Sequence, residues 1–196
     1  MQYYIYSLVC FLLPGTVWLI WNKGMIADKA YKVRHIIWIY IYLFYGYLAV
    51  QEAAGIGTIW DLIAYGKLDN SINLIPFSSE GAMTYILNII MFMPLGFLLP
   101  LIWKNFRNAK KVVLMGFLMS LAIEICQLFN IRTTDTDDFM MNTLGTLVGY
   151  CCWKVFSLIF RNAGTKCVEM KKSEPVIYMF GGILGLFLLY NWRVFN

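Results

Sequence analysis

The sequence predicts an all-α membrane protein, a bundle of about six transmembrane helices with a short interfacial helix in an outer loop. Apolar residues make up 60% of the 196 residues, whereas ordinary globular domains contain about 45–50%. These residues also occur in runs of about 20, which is the length that an α-helix needs to cross a bilayer. The strands of a membrane barrel would alternate apolar and polar residues, and these runs do not. We therefore expect helices.

Six segments have the length and composition of membrane spans. Their approximate bounds are Tyr3–Trp21, His35–Ala53, Ala82–Trp103, Val112–Phe129, Phe139–Phe160 and Val176–Trp192. The first segment lacks a basic residue before it and an obvious small-residue cleavage site, so we expect an uncleaved span rather than a signal peptide. We expect one membrane domain over residues 1–196.

A short helix is predicted in the longest outer segment, Gln51–Gly81. Thr58 can cap this helix, Asp61 falls in its first turn, and Gly66 can end it. Apolar residues around Trp60 give the helix one apolar face. Such a helix is expected to lie in the outer membrane interface, with the Trp60 ring at the level of the lipid headgroups.

The distribution of positive charge predicts the orientation in the plasma membrane. All 16 Lys and Arg residues except Lys67, Arg132 and Arg193 fall on one side of the predicted spans. The positive-inside rule makes that side cytoplasmic, so both termini are expected to face outward. The net charge of +5 follows from these loops. It implies membrane lipids as partners and gives no indication of nucleic-acid binding.

The histidine and cysteine content argues against two kinds of site. One histidine, His35, cannot form a His-rich metal centre, so zinc catalysis is not expected. The five cysteines are odd in number and lie mostly in apolar runs. We expect small buried side chains rather than a set of disulfides, at Cys10, Cys126, Cys151, Cys152 and Cys167.

Polar residues near the outer surface predict a site inside the bundle. Glu124 and Gln127 are three residues apart and share one face of the fourth span. Glu124 lies about 8 Å below the interface, where an ionised carboxylate facing lipid would cost about 3 kcal/mol or more. Asn88 and Asn142 lie one to two turns below the same surface and could project into the same interior. Arg132 is the one cation nearby in the sequence.

The start of the fifth span predicts close helix packing beside this site. Gly145 and Gly149 form a small-x-x-x-small pair, which lets two helices approach closely. Asp137 and Asp138 precede the span and suit the positive end of its dipole. We expect Asp138 to be the N-cap and Asp137 to be a solvated charge.

Taken as a set, three motifs of the chain resemble the VanZ-like family. They are NLIPF (Asn73–Phe77), NIIMFMPLGFLLPLI (Asn88–Ile102) and EICQLFNIRTTDTDDFMMNTLGTLVGY (Glu124–Tyr150). The match defines a core over residues 73–150 and leaves peripheral spans in 1–60 and 161–196. Thr134 and Thr136 depart from the family pattern without removing a charged position. The resemblance implies an integral membrane protein of a bacterial cell envelope, in a family named for low-level teicoplanin resistance, and it implies no settled reaction.

One interpretation of the polar residues is an enzyme that acts on a lipid-linked substrate, such as a cell-wall precursor. Glu124 would be a general acid or base, because burial moves carboxyl groups toward the useful range for proton transfer. Arg132 would hold a phosphate or carboxylate. Asp135, Asp137 and Asp138 could recruit a hard cation such as Mg²⁺ through oxygen ligands. No other cofactor is expected.

A second interpretation is binding without turnover. In this case Asn73, Asn88, Gln127 and Asn142 would help to hold an envelope lipid, a glycan, a peptide terminus or a partner membrane protein. A third interpretation is structural, because polar residues often hydrogen-bond membrane helices together. A channel or ion-coupled transporter is disfavoured, because the spans carry one buried acid and no ladder of charges. The sequence leaves the ligand, turnover and the oligomeric state open.

Overall fold

The computed structural model of the protein describes residues 2–22, 24, 29–65, 72–73, 81–129, 134–160 and 171–195. Within these residues the chain forms seven α-helices: α1 (Gln2–Asn22), α2 (Lys29–Tyr47), α3 (Ile59–Tyr65), α4 (Ala82–Ile102), α5 (Ala109–Gln127), α6 (Thr136–Ile159) and α7 (Glu174–Leu189). A π-helical segment, Leu48–Ala54, follows α2. Short 3₁₀ segments occur at Lys104–Phe106 and Trp192–Phe195. The all-α prediction is confirmed.

The six predicted spans correspond to the six longer helices, α1, α2, α4, α5, α6 and α7. In the described part of the chain, three stretches are long and apolar enough to cross a membrane, namely Gln2–Asn22, Tyr31–Gln51 and Ala82–Ile102. Helix α7 is a shorter apolar helix. Helices α5 and α6 include several polar and charged residues. The count of six spans therefore stays a prediction.

The outward faces of the helices are apolar. On α1 the side chains of Ile5, Val9 and Leu13 are exposed at intervals of four residues, and Val33 and Ile37 repeat the pattern on α2. Large exposed apolar side chains also occur on α4, α5, α6 and α7. Water-soluble monomers rarely expose apolar surface on this scale, whereas a lipid bilayer solvates it. The chain is a membrane protein.

Glycine residues hold α4 against α6. A Cβ atom added to Gly145 would lie 2.3 Å from the carbonyl oxygen of Ile89, and one added to Gly149 would lie 2.0 Å from that of Met93. Real Cβ atoms cannot approach a carbonyl oxygen so closely. The predicted close packing at the two glycines is confirmed, and it fixes one wall of the site described below.

The short helix α3 is present as predicted, and Thr58 directly precedes it, at the N-cap position. The Thr58 carbonyl oxygen accepts from the Asp61 N–H at 3.1 Å, and the Asp61 carboxylate accepts from the Thr58 N–H at 2.6 Å and from its hydroxyl at 2.8 Å. These reciprocal bonds resemble a capping box. Trp60 Nε1 donates to the carbonyl oxygen of Leu188 at 3.1 Å, which joins α3 to the end of α7. Gly66 lies outside the described residues, and the interfacial location stays a prediction.

The cysteines divide into two groups. Cys10 and Cys126 are buried, as expected, whereas Cys151 and Cys152 are exposed on α6. The prediction of buried side chains is wrong for this second pair, because both side chains reach the outer surface of the bundle. Cys167 lies outside the described residues. All four described cysteines are free thiols.

Candidate binding cavity

Helix α5 presents two polar side chains to the interior of the bundle. Glu124 and Gln127 are both buried, and they lie in the last turn of the helix, as their three-residue spacing requires. Ile123 and Cys126 are buried beside them. The carboxylate therefore faces the bundle, in agreement with the cost of exposing it to lipid.

The π-helical segment after α2 supports Gln127. The Gln127 side-chain amide donates from Nε2 to the carbonyl oxygen of Ala54 at 2.9 Å. Ala54 ends the π-helical segment, and Gly55 follows it with a φ of 64°, in the left-handed region that glycine adopts without strain. The Gly55 N–H donates to the carbonyl oxygen of Val50 at 3.0 Å. The sequence does not predict this contact between α5 and the π-helical segment, because no sequence spacing relates the two segments.

Helix α6 contributes Asn142, which is 2% exposed. Its side-chain nitrogen donates to the Ser120 hydroxyl of α5 at 3.0 Å. The side-chain oxygen, Oδ1, accepts no hydrogen bond from any described residue. The Thr146 hydroxyl donates to the Asn142 backbone carbonyl at 3.0 Å. One end of the Asn142 amide is thus anchored, and the other is a buried acceptor.

Two aspartates at the start of α6 bind side chains of α4. Asn88 donates from Nδ2 to Oδ1 of Asp138, and the Tyr85 hydroxyl donates to Oδ2 of Asp137 at 2.8 Å. Helix α6 begins at Thr136, so the prediction that Asp138 is the N-cap is wrong. The prediction that Asp137 is solvated is also wrong, because its side chain is fully buried. Both predictions fail because α4 packs against the first turn of α6. Sequence spacing does not reveal this contact.

These residues surround a single cavity with a volume of about 680 Å³. It lies between the end of the π-helical segment, the first half of α4, the end of α5 and the start of α6. Five of the eight predicted site residues line it: Asn88, Glu124, Gln127, Asp138 and Asn142. The rest of the wall is mostly apolar and includes Leu87, Ile90, Met91 and Ile123. The cavity therefore has a polar side and an apolar side.

The other three predicted site residues are described incompletely or not at all. Arg132 lies outside the described residues, and only the backbones of Asn73 and Asp135 are described. These two backbones pair in a short parallel ladder between β1 (Ile72–Asn73) and β2 (Thr134–Asp135), with Asn73 opposite Asp135. The pairing brings the segment before α4 beside the segment before α6. Two motifs that are about 60 residues apart in the sequence thus meet close to the start of α6.

Metal binding has no support from the described side chains. Among them, no group of His, Cys, Asp or Glu has the arrangement needed to hold a metal ion. The Asp135 side chain, which the Mg²⁺ hypothesis included, is not among them. The hypothesis therefore stays a prediction.

A second buried polar cluster lies at the opposite end of α4. Glu174, the first residue of α7, is completely buried and lies 2.8 Å from His35 Nε2 of α2. It also accepts from Trp103 Nε1 at 3.0 Å and from the Tyr178 hydroxyl at 3.2 Å. Sequence reasoning missed this cluster, because its members are far apart in the chain. One usable signal was an acidic residue directly before the apolar run of α7.

The fold and the cavity define the class of protein: a helical membrane protein with a polar cavity buried near one end of its bundle. The VanZ/LLP1 family model matches residues 5–157, and the chain belongs to this family. The matched region includes α1 and α2. Protein VanZ of Enterococcus faecium is 34% identical over 134 residues, which are 67% of this chain and 77% of that protein. No solved structure matches the chain significantly.

Proposed function

We propose that the protein binds the polar part of an envelope lipid, a lipid-linked cell-wall precursor or a membrane-attached glycan. The observation that carries this proposal is the cavity of about 680 Å³ between α4, α5 and α6. Small-molecule sites usually have volumes of about 300–1,000 Å³ and combine an apolar wall with a few convergent polar groups. A sugar or a lipid head group is of the right size and polarity for this cavity.

The buried acceptor of Asn142 supports ligand binding over a purely structural role. A buried polar atom that makes no hydrogen bond costs about 1–3 kcal/mol. Because Asn142 Oδ1 accepts none from the described residues, a ligand hydroxyl or amine that donated to it would recover this cost. Side chains that only join helices would be expected to satisfy one another.

In this proposal the cavity faces the extracytoplasmic side of the membrane. It lies near the start of α4 and the end of α5, whereas the connection at their other ends carries the basic residues Lys104, Arg107, Lys110 and Lys111. The positive-inside rule assigns that basic end to the cytoplasm. On this side, Arg132 would bind a phosphate or carboxylate group of the ligand.

Cysteine labelling tests this orientation. In a cysteine-depleted protein, Gly81→Cys at the start of α4 and Lys104→Cys at its end give a matched pair, because both positions are exposed. A membrane-impermeant maleimide added to intact cells should label position 81 and not position 104. The opposite labelling pattern would overturn the proposed orientation.

Tolerance to a glycopeptide antibiotic is the proposed cellular consequence of ligand binding. Membership of a family named for teicoplanin resistance supports this link. Cells that express the protein should tolerate a higher concentration of teicoplanin than cells that express the Glu124→Gln variant at the same level.

Mass spectrometry of co-purifying lipids and glycolipids tests the binding site. The wild-type protein should retain one class of species above its share of the membrane, and Glu124→Gln should retain at least about tenfold less, because hydrogen bonds to charged groups contribute about 1.5–3 kcal/mol. Glu174→Gln, the same substitution at a buried glutamate outside the cavity, is the control and should retain the wild-type amount per folded molecule. Equal retention by all three proteins would refute binding at the cavity. A bound species that is chemically converted by the wild type alone would indicate turnover.

A further inference from the structure

The polar cavity opens toward the outside of the bundle along α4. Leu87 and Ile90 line the cavity, yet they are 56% and 55% exposed, so they lie at its rim on the outer surface of α4. In a membrane this face contacts lipid. A ligand can therefore have its polar part inside the cavity while another part of the same molecule leaves through the apolar side.

A second hollow lies on the same side of α4, deeper along the helix. It has a volume of about 320 Å³ and forms a groove between α4 and α6, lined by Met93, Pro94, Phe97, Leu98, Gly149 and Cys152. None of these residues has a charged side chain or an amide. At Gly149 the backbone of α6 packs directly against the Met93 backbone, which closes the floor of the groove.

The cavity and the groove follow one stripe of α4. Leu87 and Met91 line the cavity, and Pro94 and Leu98 line the groove. Spacings of three and four residues place these four side chains on one face of the helix, over a rise of about 16 Å from first to last. The groove thus continues from the apolar side of the cavity toward the middle of the predicted span.

We propose that the ligand is a long-chain amphiphile whose hydrocarbon chain leaves the cavity over Leu87 and Met91 and lies in the groove at Pro94 and Leu98. This inference rests on the proposed function, because the cavity is assumed to hold the polar part of the same molecule. It adds that the protein recognises the hydrocarbon chain of the ligand as well as its polar part. The alignment of the cavity and the groove along one stripe of α4 is what assigns the groove to the hydrocarbon chain rather than to a second copy of the protein.

The groove is expected to select chains rather than to supply most of the affinity. A hydrocarbon chain in the bilayer is already in an apolar environment, so burying it against the protein gains only packing. The expected effect of the groove is therefore an enrichment of a few fold for chains of a particular length or branching. Loss of the contacts between the cavity and the polar part of the ligand should reduce the amount of bound ligand more strongly.

Two adjacent free cysteines provide a matched test. Cys151 and Cys152 are both exposed on α6, but only Cys152 lines the groove. In single-cysteine proteins, a photoactivatable maleimide attached to either thiol would be cross-linked in native membranes, and the adducts would be identified by mass spectrometry. Adducts at Cys152 should be enriched a few fold in the species that co-purifies with the wild-type protein. Adducts at Cys151 should reflect the bulk lipid.

A second pair of variants tests the groove without an attached probe, because the probe could itself fill the groove. Leu98→Trp places a bulky ring in the groove, and Leu118→Trp places the same ring on an exposed position of α5. The first variant should retain a few fold less of the co-purifying species, with a shift in its chain distribution. The second should match the wild type.

The outcomes separate this inference from the proposed function. If Glu124→Gln removes the co-purifying species but neither Cys152 adducts nor Leu98→Trp differ from their controls, the groove proposal is overturned and the polar site stands. Protein–protein cross-links at Cys152 would also overturn it, because a second copy would then occupy the groove. If no species depends on Glu124, both proposals fail together.

Discussion

Two buried glutamates lie at opposite ends of the bundle, and their surroundings differ. Glu174 accepts hydrogen bonds from Trp103 and Tyr178 and is paired with His35, so three side chains contact its carboxylate. Glu124 lies against a cavity of about 680 Å³ that five other polar residues line. Both side chains are in apolar helices, and both are almost fully buried. Burial of a carboxylate therefore does not by itself mark a site, whereas open volume beside it does.

The two surroundings predict different roles. The Glu174 cluster joins α2, the end of α4 and the start of α7, and its hydrogen bonds hold these elements together. The residues around Glu124 leave space that packed protein interiors normally fill. The cluster around Glu174 should therefore matter for stability, and the residues around Glu124 should matter for binding.

The largest loss of stability is expected for Glu174→Ala. This change removes the acceptor for Trp103 and Tyr178 and the partner of His35, and orphaned buried donors are costly. We expect the free energy of unfolding to fall by about 2–3 kcal/mol, measured by reversible unfolding in mixed micelles. Ser173→Ala, at the exposed neighbouring position whose side chain makes no capping hydrogen bond, should change it little. Unchanged stability in Glu174→Ala would remove the structural role of this cluster.

A smaller loss is expected where α4 crosses α6. A Cβ atom at Gly96 would lie 2.0 Å from the carbonyl oxygen of Thr146, whereas the nearest atom to a Cβ at Gly181 is Pro14 Cβ, at 3.5 Å. Gly96→Ala should therefore lower the free energy of unfolding by about 1–3 kcal/mol through overpacking. Gly181→Ala should raise it by up to about 1 kcal/mol through helix propensity.

The Gly96 and Gly181 variants also test whether the close packing of α4 against α6 is needed for ligand binding in the cavity. Because α4 and α6 form two of its walls, Gly96→Ala should reduce lipid retention per folded molecule as well as stability, while Gly181→Ala should affect neither the cavity nor retention. If Gly96→Ala proves as stable as the wild type, the close approach of the two helices is not required for the fold.

Much of the cavity could be predicted because its causes are local. Helical spacing puts Glu124 and Gln127 on one face, and the cost of polar groups in lipid turns that face inward. The same argument applies to Asn88 and Asn142. None of this needs knowledge of which helix is the neighbour, and the structure brings the four residues together.

What could not be predicted depends on contacts between distant segments. The place of Asp137 before a span predicts a solvated charge, but the Tyr85 hydroxyl of α4 donates to its carboxylate and the side chain is buried. His35 and Glu174 are 139 residues apart, and nothing in either local sequence indicates the pair. The hydrogen bond from Gln127 to the end of the π-helical segment is of the same kind. Local rules give the direction of a side chain, and the tertiary packing gives its partner.

The smallest change in stability, together with the largest change in binding, is expected for Glu124→Gln. The same substitution at Glu174 is its matched comparison. At position 174 the new amide offers one acceptor oxygen where the carboxylate offered two, and its NH₂ group would face the N–H of Trp103 or His35. A loss of about 1 kcal/mol or more is expected there.

At position 124 the amide keeps the shape of the side chain and removes the cost of burying a charge, so the free energy of unfolding should stay within about 0.5 kcal/mol of the wild type or rise. Lipid retention and teicoplanin tolerance should nevertheless fall in the Glu124 variant and persist in folded Glu174→Gln. Equal losses of stability at both positions would instead make Glu124 a second structural carboxylate, and the cavity beside it would then be a packing defect rather than a site.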